Sequence, residues 1–414
     1  MASGVITQFA ELPVPDHVDP DLVRRDFPFI YGTITEQNPF NDLVMKTHEE
    51  EPDIFYAPHA YPGGTAAWVP RRMALMREVF MDTEHFTNAD FGPYAKLAGG
   101  NWINSPAELD PPAHGPFRQM ANPAFTPKAM AALEDKIRSY AAGIIDAFVA
   151  RGSCEFMSEF AFEFPIKIFL ELMGLPQDRV GEFLSWERDL IHNFDLARMA
   201  DSTRRVIAYL DSEIEARRSS PRNDLMSFAL QSRIGDRPLT DDELRGFSFN
   251  LFIGGLDTVS TNLGLQFWHL ATHPDDQAFL RSNPQEIPHA IDELMRANGA
   301  VTTFRTCKKE TKIGGARILP GDKVALSTSL AGRDPAEFND PQDVRFGRRP
   351  RHIGFGFGIH TCMGMHLARR ELRVAIEEFL ARIPEFRIAD GHTMRFHLGM
   401  IQPVELPLTW HCAN

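Results

Sequence analysis

The chain has 414 residues, 43% of them apolar and 24% charged, and a formal net charge of −13. That composition is ordinary for a globular protein, and the acidic balance argues against a nucleic-acid partner or an anionic membrane surface. The four cysteines, Cys154, Cys307, Cys362 and Cys412, form no Cys-x-x-Cys pair, so neither a disulfide framework nor a zinc site is indicated and a reducing cytoplasm fits. No apolar run reaches the ~18 residues of a membrane span, and residues 1–24 lack the basic start and apolar core of a signal peptide.

Residues 1–50 are rich in proline and acids and read as an extended entry segment with short helical pieces. Ile54-Phe55-Tyr56 and Ala66-Ala67-Trp68-Val69 flank Pro62-Gly63-Gly64, which predicts a hairpin within 51–72. Helical spacing returns over 71–85. Residues 86–110 form a loop rich in Gly, Asn and Pro that carries Phe86, Phe91, Tyr94, Trp102 and Ile103. Such a loop is a mobile surface segment, a binding lid, or a set of aromatics tucked onto the core.

Asp110-Pro-Pro-Ala-His114 opens a helix, with Asp110 placed to cap it and a proline suited to its first turn. His114 and Arg118 are one turn apart on one face and can hold a carboxylate, or stand as a solvated pair. From Pro127 to about Pro238 the pattern is almost entirely helical, with breaks at Gly152-Ser153, Gly174-Leu-Pro176 and Ser219-Ser-Pro221.

Thr240-Asp-Asp-Glu243 is a capping box. It opens a helix that can run to Thr272, about 50 Å at 1.5 Å per residue, long enough to cross the core. Near its middle sits Gly254-Gly255-Leu256-Asp257-Thr258. Two adjacent mid-helix glycines cost about 1 kcal/mol each relative to alanine. On the motif alone they mean either a close helix–helix contact or the approach of a ligand to the backbone.

Glu293 and Arg296 are a helical i, i+3 pair. Short strands with glycine turns follow over 301–330, and 394–410 reads as a closing hairpin. Between them lies Phe355-Gly-Phe-Gly-Ile-His-Thr-Cys362-Met-Gly364, directly before a helical pattern from Met365 to Leu380. Its glycines let the backbone turn tightly against a flat partner. A cysteine at a helix start meets free N–H groups and the positive end of the helix dipole, which favour thiolate. A thiolate in a glycine-lined loop is a good axial ligand for haem iron.

This stretch resembles the haem-binding loop of the cytochrome P-450 family, Phe-Gly-x-Gly-x-His-x-Cys-x-Gly, at Phe355, Gly356, Gly358, His360, Cys362 and Gly364. Gly254 to Thr258 resembles the family's (Ala/Gly)-Gly-x-(Asp/Glu)-Thr. His114/Arg118 and Glu293/Arg296 resemble its His-x-x-x-Arg and Glu-x-x-Arg pairs, in the family's order. Gly-Gly-Leu-Asp-Thr, Ala368-Arg-Arg-Glu371-Leu, Arg382-Ile-Pro-Glu-Phe386 and Leu406-Pro-Leu-Thr-Trp410 are similar to the soluble bacterial type, close to the camphor hydroxylase and its terpenoid-hydroxylating relatives.

The resemblance implies one domain over 1–414, mainly α with a small β-rich region, a triangular prism around a buried haem b. It implies Cys362 as iron ligand, and His114, Arg118 and Arg305 as partners of the haem propionates. Gly254, Gly255, Phe355, Gly356, His360 and Gly364 would lie against the haem. Asp257 and Thr258 would manage protons for molecular oxygen as co-substrate. Glu293 and Arg296 would buttress the haem loop, with Arg348 as the candidate that completes the network.

The implied activity is a monooxygenase that hydroxylates an unactivated C–H bond of a small hydrophobic terpenoid. Phe91, Trp102, Asn250, Ile253, Val301 and Ile401 are the positions expected to line its pocket. Asn250 bonds either a substrate oxygen or its own helix. Electrons would come from an iron–sulfur ferredoxin served by a separate NAD(P)H-dependent flavin reductase. Arg345, Arg348, Arg349, Arg351, Arg369, Arg370 and Arg373 form either its docking cluster or a solvated basic face. A monomer is expected. The alternatives are a haem-thiolate peroxygenase, which lacks the acid–alcohol pair, and a non-catalytic haem-binding sensor, which needs no proton relay.

Overall fold

The computed structural model describes residues 12–412 except 90, 91, 193, 194, 256 and 384. Where β-branched and aromatic residues alternate around Pro62-Gly63-Gly64, the chain forms the hairpin β1 (Ile54–Tyr61) and β2 (Thr65–Pro70). Apolar spacing then switches to helical in α1 (Met73–Met81), which buries Met73, Met76, Val79 and Phe80. A short strand β3 (Phe86–Thr87) precedes the long loop.

Helices dominate the next stretch: α2 (His114–Ala121), α3 (Glu134–Phe148), α4 (Glu163–Met173) and α5 (Leu196–Ser219). The expected break at Gly152-Ser153 is more than a break. Gly152 takes φ +74° and the chain continues as strand β4 (Ser153–Glu155). Asp110 does not cap α2 with its side chain. Its carbonyl accepts from the His114 N–H (3.0 Å), while its carboxylate accepts from the Asn88 N–H (3.3 Å) across the loop.

The capping box forms as the sequence predicts. Thr240 Oγ1 accepts from the Glu243 N–H (3.2 Å) and Glu243 Oε2 accepts from the Thr240 N–H (2.8 Å). It opens α6 (Asp241–Gly255), and α7 (Asp257–Thr272) follows after residue 256. α7 is buried on nearly every face, as a helix crossing the interior must be. Gly246 of α6 lets the loop close on it: a Cβ there would sit 1.9 Å from the Ile103 carbonyl oxygen.

After α8 (Ile287–Ala297) come β5 (Thr302–Cys307) and β6 (Lys323–Ser327). They complete a five-stranded sheet in the order β1-β2-β6-β5-β3, antiparallel except for the β2–β6 pair. The haem-loop motif feeds α9 (Met365–Arg382). The chain ends in β7 (Phe386–Ile388), β8 (Phe396–His397), β9 (Gln402–Pro403) and β10 (Pro407–Trp410).

Residues 394–410 are not one hairpin. β8 pairs with β9, but β10 leaves them to lie between β7 and β4. The apolar face Leu406, Leu408 and Trp410 explains the switch, since it packs on the α3–α7–α9 core. Among the described residues no helix is long and apolar enough to cross a membrane.

Candidate functional site

The loop before α9 is shaped by its glycines. Gly356 and Gly358 take φ +74° and +73°, and a Cβ on Gly358 would meet the Phe80 carbonyl at 3.0 Å. The Gly358 carbonyl accepts from the Thr361 hydroxyl (2.8 Å), and the Cys362 N–H donates to the Phe355 carbonyl (2.8 Å). This holds Cys362 at the mouth of α9, whose N-cap is Gly364. The thiol opens into an internal cavity and not onto the outer surface. Burial pushes it up from its ordinary pKa; the N–H groups of Gly364 and Met365 and the charges of Arg118 and Arg369 oppose that. A thiolate here calls for a cation against it.

The cavity has a volume of about 370 Å³. Cations gather at its edge. Arg305 is buried, donates to Asn88 Oδ1 (2.8 Å) and to the Phe304 carbonyl (2.9 Å), and is pushed by burial down to about 10. Arg118 donates to the Thr361 carbonyl (2.8 Å) and to Asn122 Oδ1 (3.1 Å). Among the described residues neither guanidinium is ion-paired to a carboxylate. The rings of His114 and His360 lie 4.4 Å apart. Burial, with Arg305 and His114 beside it, pushes His360 down to about 3. Burial and Arg118 hold His114 low, and its buried Nε2 has no hydrogen-bond partner.

Across the cavity runs the central helix. Gly254 presents a bare backbone face with open space where a Cβ would stand. Thr258 Oγ1 donates to the Gly254 carbonyl (3.2 Å), so the hydroxyl bonds one turn back. Asp257 is buried, and its Oδ1 accepts from Gln402 Nε2 (3.0 Å).

A P450 family model ("Cytochrome P450") matches residues 183–389. The chain is 38% identical over 404 residues to the probable cytochrome P450 127A1 of Sinorhizobium fredii, covering 96% of this chain and 97% of that one. It is 30% identical to the mycinamicin IV hydroxylase/epoxidase of Micromonospora griseorubida, over 90% of this chain and 98% of that one. The crystal structure of CYP101J2 superposes with a TM-score of 0.87 at 31% identity, over 97% of this chain and 100% of that chain. The chain belongs to the cytochrome P450 family. It is a monooxygenase of the bacterial type, and its cofactor and co-substrate are haem b and molecular oxygen.

The residues of this P450 fit that cofactor. Arg118 and Arg305, without ion pairs among the described residues, line the cavity, where the two propionates of a haem would satisfy them; the orphaned His114 Nε2 lies just outside the lining, its ring against that of His360, which lines it. Gly254 leaves its helix face bare for a flat ring, and Cys362 supplies a soft sulfur donor from the opposite wall.

The buttress lies outside the cavity. Glu293 and Arg296 are fully buried and bonded through both carboxylate oxygens (2.8 and 2.9 Å). Arg296 also donates to the carbonyls of Gly332, Pro341 and Asp343. Arg348 Nε donates to Glu293 Oε1 at 3.0 Å, so the segment from Phe346 to Phe355 is anchored to α8.

Of the pocket candidates, Asn250, Ile253 and Val301 line the cavity. Trp102 does not; it is buried with its ring 4.8 Å from that of Phe249, behind α6. Ile401 is also off the wall, because its N–H is tied to the Ala300 carbonyl (3.0 Å) and its side chain joins the sheet core. Phe91 lies outside the described residues. The basic cluster is largely neutralised: Arg345 pairs with Asp340 and Asp343, Arg349 with Glu286, Arg369 with Asp292, and Arg370 and Arg373 with Glu134. Arg351 alone of the seven has no ion pair among the described residues.

Three residues stand at the site in places that no motif of the sequence assigns to them. Asn88 orients Arg305 from the long loop. Gln402 reaches Asp257 from β9. Glu371, nine residues past Cys362 on α9, lines the cavity, and burial pushes its carboxyl well above the usual carboxylate range.

Proposed function

We propose that this P450 hydroxylates an unactivated C–H bond of a compact terpenoid carrying one oxygen function, with electrons from an iron–sulfur ferredoxin and a separate flavin reductase. The observation that carries the substrate class is Asn250. Its side chain lines the cavity, and among the described residues nothing is hydrogen-bonded to its amide. A helical asparagine can satisfy itself on the turn before, as Asn262 does on the Thr258 carbonyl (2.7 Å). Asn250 does not, so a ligand oxygen is its natural partner.

The wall around it is apolar, with Phe169, Leu225, Leu251, Ile253 and Val301. That lining favours a compact, mostly hydrocarbon molecule. The resemblance to the soluble bacterial type supports the ferredoxin chain, and the free thiols suit a reducing cytoplasm.

In this reading the bound haem supplies the activation of dioxygen. Cys362 would hold it through its sulfur; His114, Arg118 and Arg305 would hold its propionates. Ile253 and Val301 press the substrate into place and Asn250 fixes its orientation. Thr258, whose hydroxyl is held on the Gly254 carbonyl, hands protons to the cavity, and Asp257 takes them up behind it.

The test is a titration of haem-loaded protein with terpenoid ketones, ethers and alcohols and with hydrocarbons of the same shape. Following the Soret band gives affinity, and product per NAD(P)H with a ferredoxin and its reductase gives turnover. Oxygenated compounds are expected to bind about tenfold more tightly than their hydrocarbon twins, and Asn250→Leu is expected to erase the difference. Equal binding of both sets by the wild type would remove the substrate class. Product formation from peroxide alone at the same rate would favour the peroxygenase.

A further inference from the structure

Thr258 is held within its own helix, but Asp257 is held from elsewhere. Gln402, 145 residues further along, is 2% exposed and stands on β9, paired with His397 of β8. Its Nε2 lies 3.0 Å from Asp257 Oδ1 and 2.6 Å from Thr261 Oγ1. An amide nitrogen carries two hydrogens, and both have an acceptor here. The orientation of the amide is fixed by its surroundings, since its oxygen turned toward a carboxylate would be repelled.

We propose that Gln402 is a positioning residue for the monooxygenase reaction, clamping the Asp257 carboxylate to one rotamer behind the cavity. The inference rests on the proton role proposed for Asp257. A carboxylate at the start of a helical segment has several staggered rotamers. A charge-assisted hydrogen bond from a rigid strand selects one of them. Because the clamp is neutral, it fixes geometry without ion-pairing the group. Thr261, one turn on from Asp257, takes the second hydrogen, so the amide cannot swing without breaking two bonds. The β8–β9 hairpin is thereby tied to the central helix at the point where protons would enter.

The experiment compares Gln402→Leu, Asp257→Asn and the double variant in the haem-loaded enzyme. Gln402→Met serves if the leucine protein does not fold. Three quantities are read: substrate affinity from the Soret shift, product per NAD(P)H with its solvent deuterium isotope effect, and the urea midpoint. For Gln402→Leu the expected result is affinity within twofold of wild type, coupling of electrons to product reduced about tenfold, and a larger isotope effect.

The double variant is expected to lose no more coupling than Asp257→Asn alone, and its shift in midpoint to be smaller than the sum of the single shifts. If Asp257→Asn disturbs coupling and isotope effect while Gln402→Leu leaves both at wild-type values, the clamp is overturned and the proton role of Asp257 stands. If Asp257→Asn itself leaves them unchanged, that role falls and the clamp with it. Additive midpoint shifts would also overturn it, because they deny the contact.

Discussion

Removing the Arg296 guanidinium should be among the most damaging single changes outside the cavity. Arg296→Leu keeps an apolar stem of similar shape and deletes five hydrogen bonds. Glu293 Oε1 still has Arg348 Nε and the Arg345 N–H, and the Asp343 carbonyl still has Arg348. Glu293 Oε2 and the carbonyls of Gly332 and Pro341 lose the guanidinium with nothing in its place. At ~1–3 kcal/mol for each buried group left unsatisfied, the change costs about 5 kcal/mol. That is a large part of the ~5–15 kcal/mol that holds a typical domain folded. Arg348→Leu is the internal comparison. It deletes four hydrogen bonds, but Glu293 stays bidentate to Arg296, the Asp343 carbonyl keeps Arg296, and the Asn339 and Asp340 carbonyls face water, so about 1 kcal/mol is expected. Urea unfolding by circular dichroism reads both variants, and the Soret-to-protein absorbance ratio reads how much haem each retains. Equal losses for the two variants, or an Arg296→Leu protein within 1 kcal/mol of wild type, would refute the assignment of the buttress to this pair.

Two further outcomes follow from the same geometry. In haem-free protein His360 is pushed down to about 3 from an ordinary value of 6.5, so the unfolded chain binds its proton first. That contribution to stability is full above about pH 6.5 and falls by about 1.4 kcal/mol per unit as pH drops below it; between pH 7.5 and 5.5 wild type should lose about that much more than His360→Gln, and parallel losses would deny the burial of the imidazole. Gly246→Ala gains about 1 kcal/mol of helix propensity, but its Cβ would lie 1.9 Å from the Ile103 backbone oxygen; the clash should win, lowering the urea midpoint and speeding proteolysis of the 98–105 loop, and an unchanged cleavage rate would show that the loop does not rest on α6.

The parts of the site that were legible in the sequence are those carried by covalent neighbours. The haem loop places its cysteine, glycines and histidine within ten residues, so their order fixes their geometry. His114 and Arg118, or Glu293 and Arg296, need only one helical turn to meet. Arg348 is named by the resemblance alone; the short segment from Phe346 to Phe355 leaves its register open in the sequence, and the bond to Glu293 is a tertiary contact. What failed were placements that depend on tertiary choices. Trp102 and Phe249 are far apart in the chain, and nothing in either segment says that the indole packs behind α6 instead of facing the cavity. Ile401 and Gln402 are neighbours on one strand with opposite fates, set by a register that only the pairing of β8 with β9 decides. Glu371 stands in the sequence only as part of Ala368-Arg-Arg-Glu371-Leu, which says nothing of which helix face it takes. The arginines after Phe346 read as a basic cluster because sequence proximity counts the positive charges and misses Glu134, Asp292 and Glu286, which come from other elements to meet them.

Buried arginines show how scaffold and site part company within one core. Four are almost wholly enclosed: Arg217, Arg296, Arg305 and Arg333. Arg217 is matched by Glu213 and Asp224 and by the carbonyls of Met173 and Gly174 at the end of α4. Arg296 is matched by Glu293. Arg333 has no carboxylate, but it donates to the Ala297 carbonyl at the C-terminus of α8 (2.6 Å) and to Asn41 and Asn298, where the helix dipole favours a cation. Arg305 has no ion pair among the described residues and no helix end; Asp110 acts on it only at longer range. Its partners are one amide oxygen and the carbonyl of the residue before it, and the cavity is its open side. Burying a charge without a counter-charge is unfavourable, so a fold that keeps Arg305 there does so for an anion that arrives after folding. The propionates of a bound haem would be that anion, and the least satisfied of the buried guanidinium groups is where they are proposed to bind.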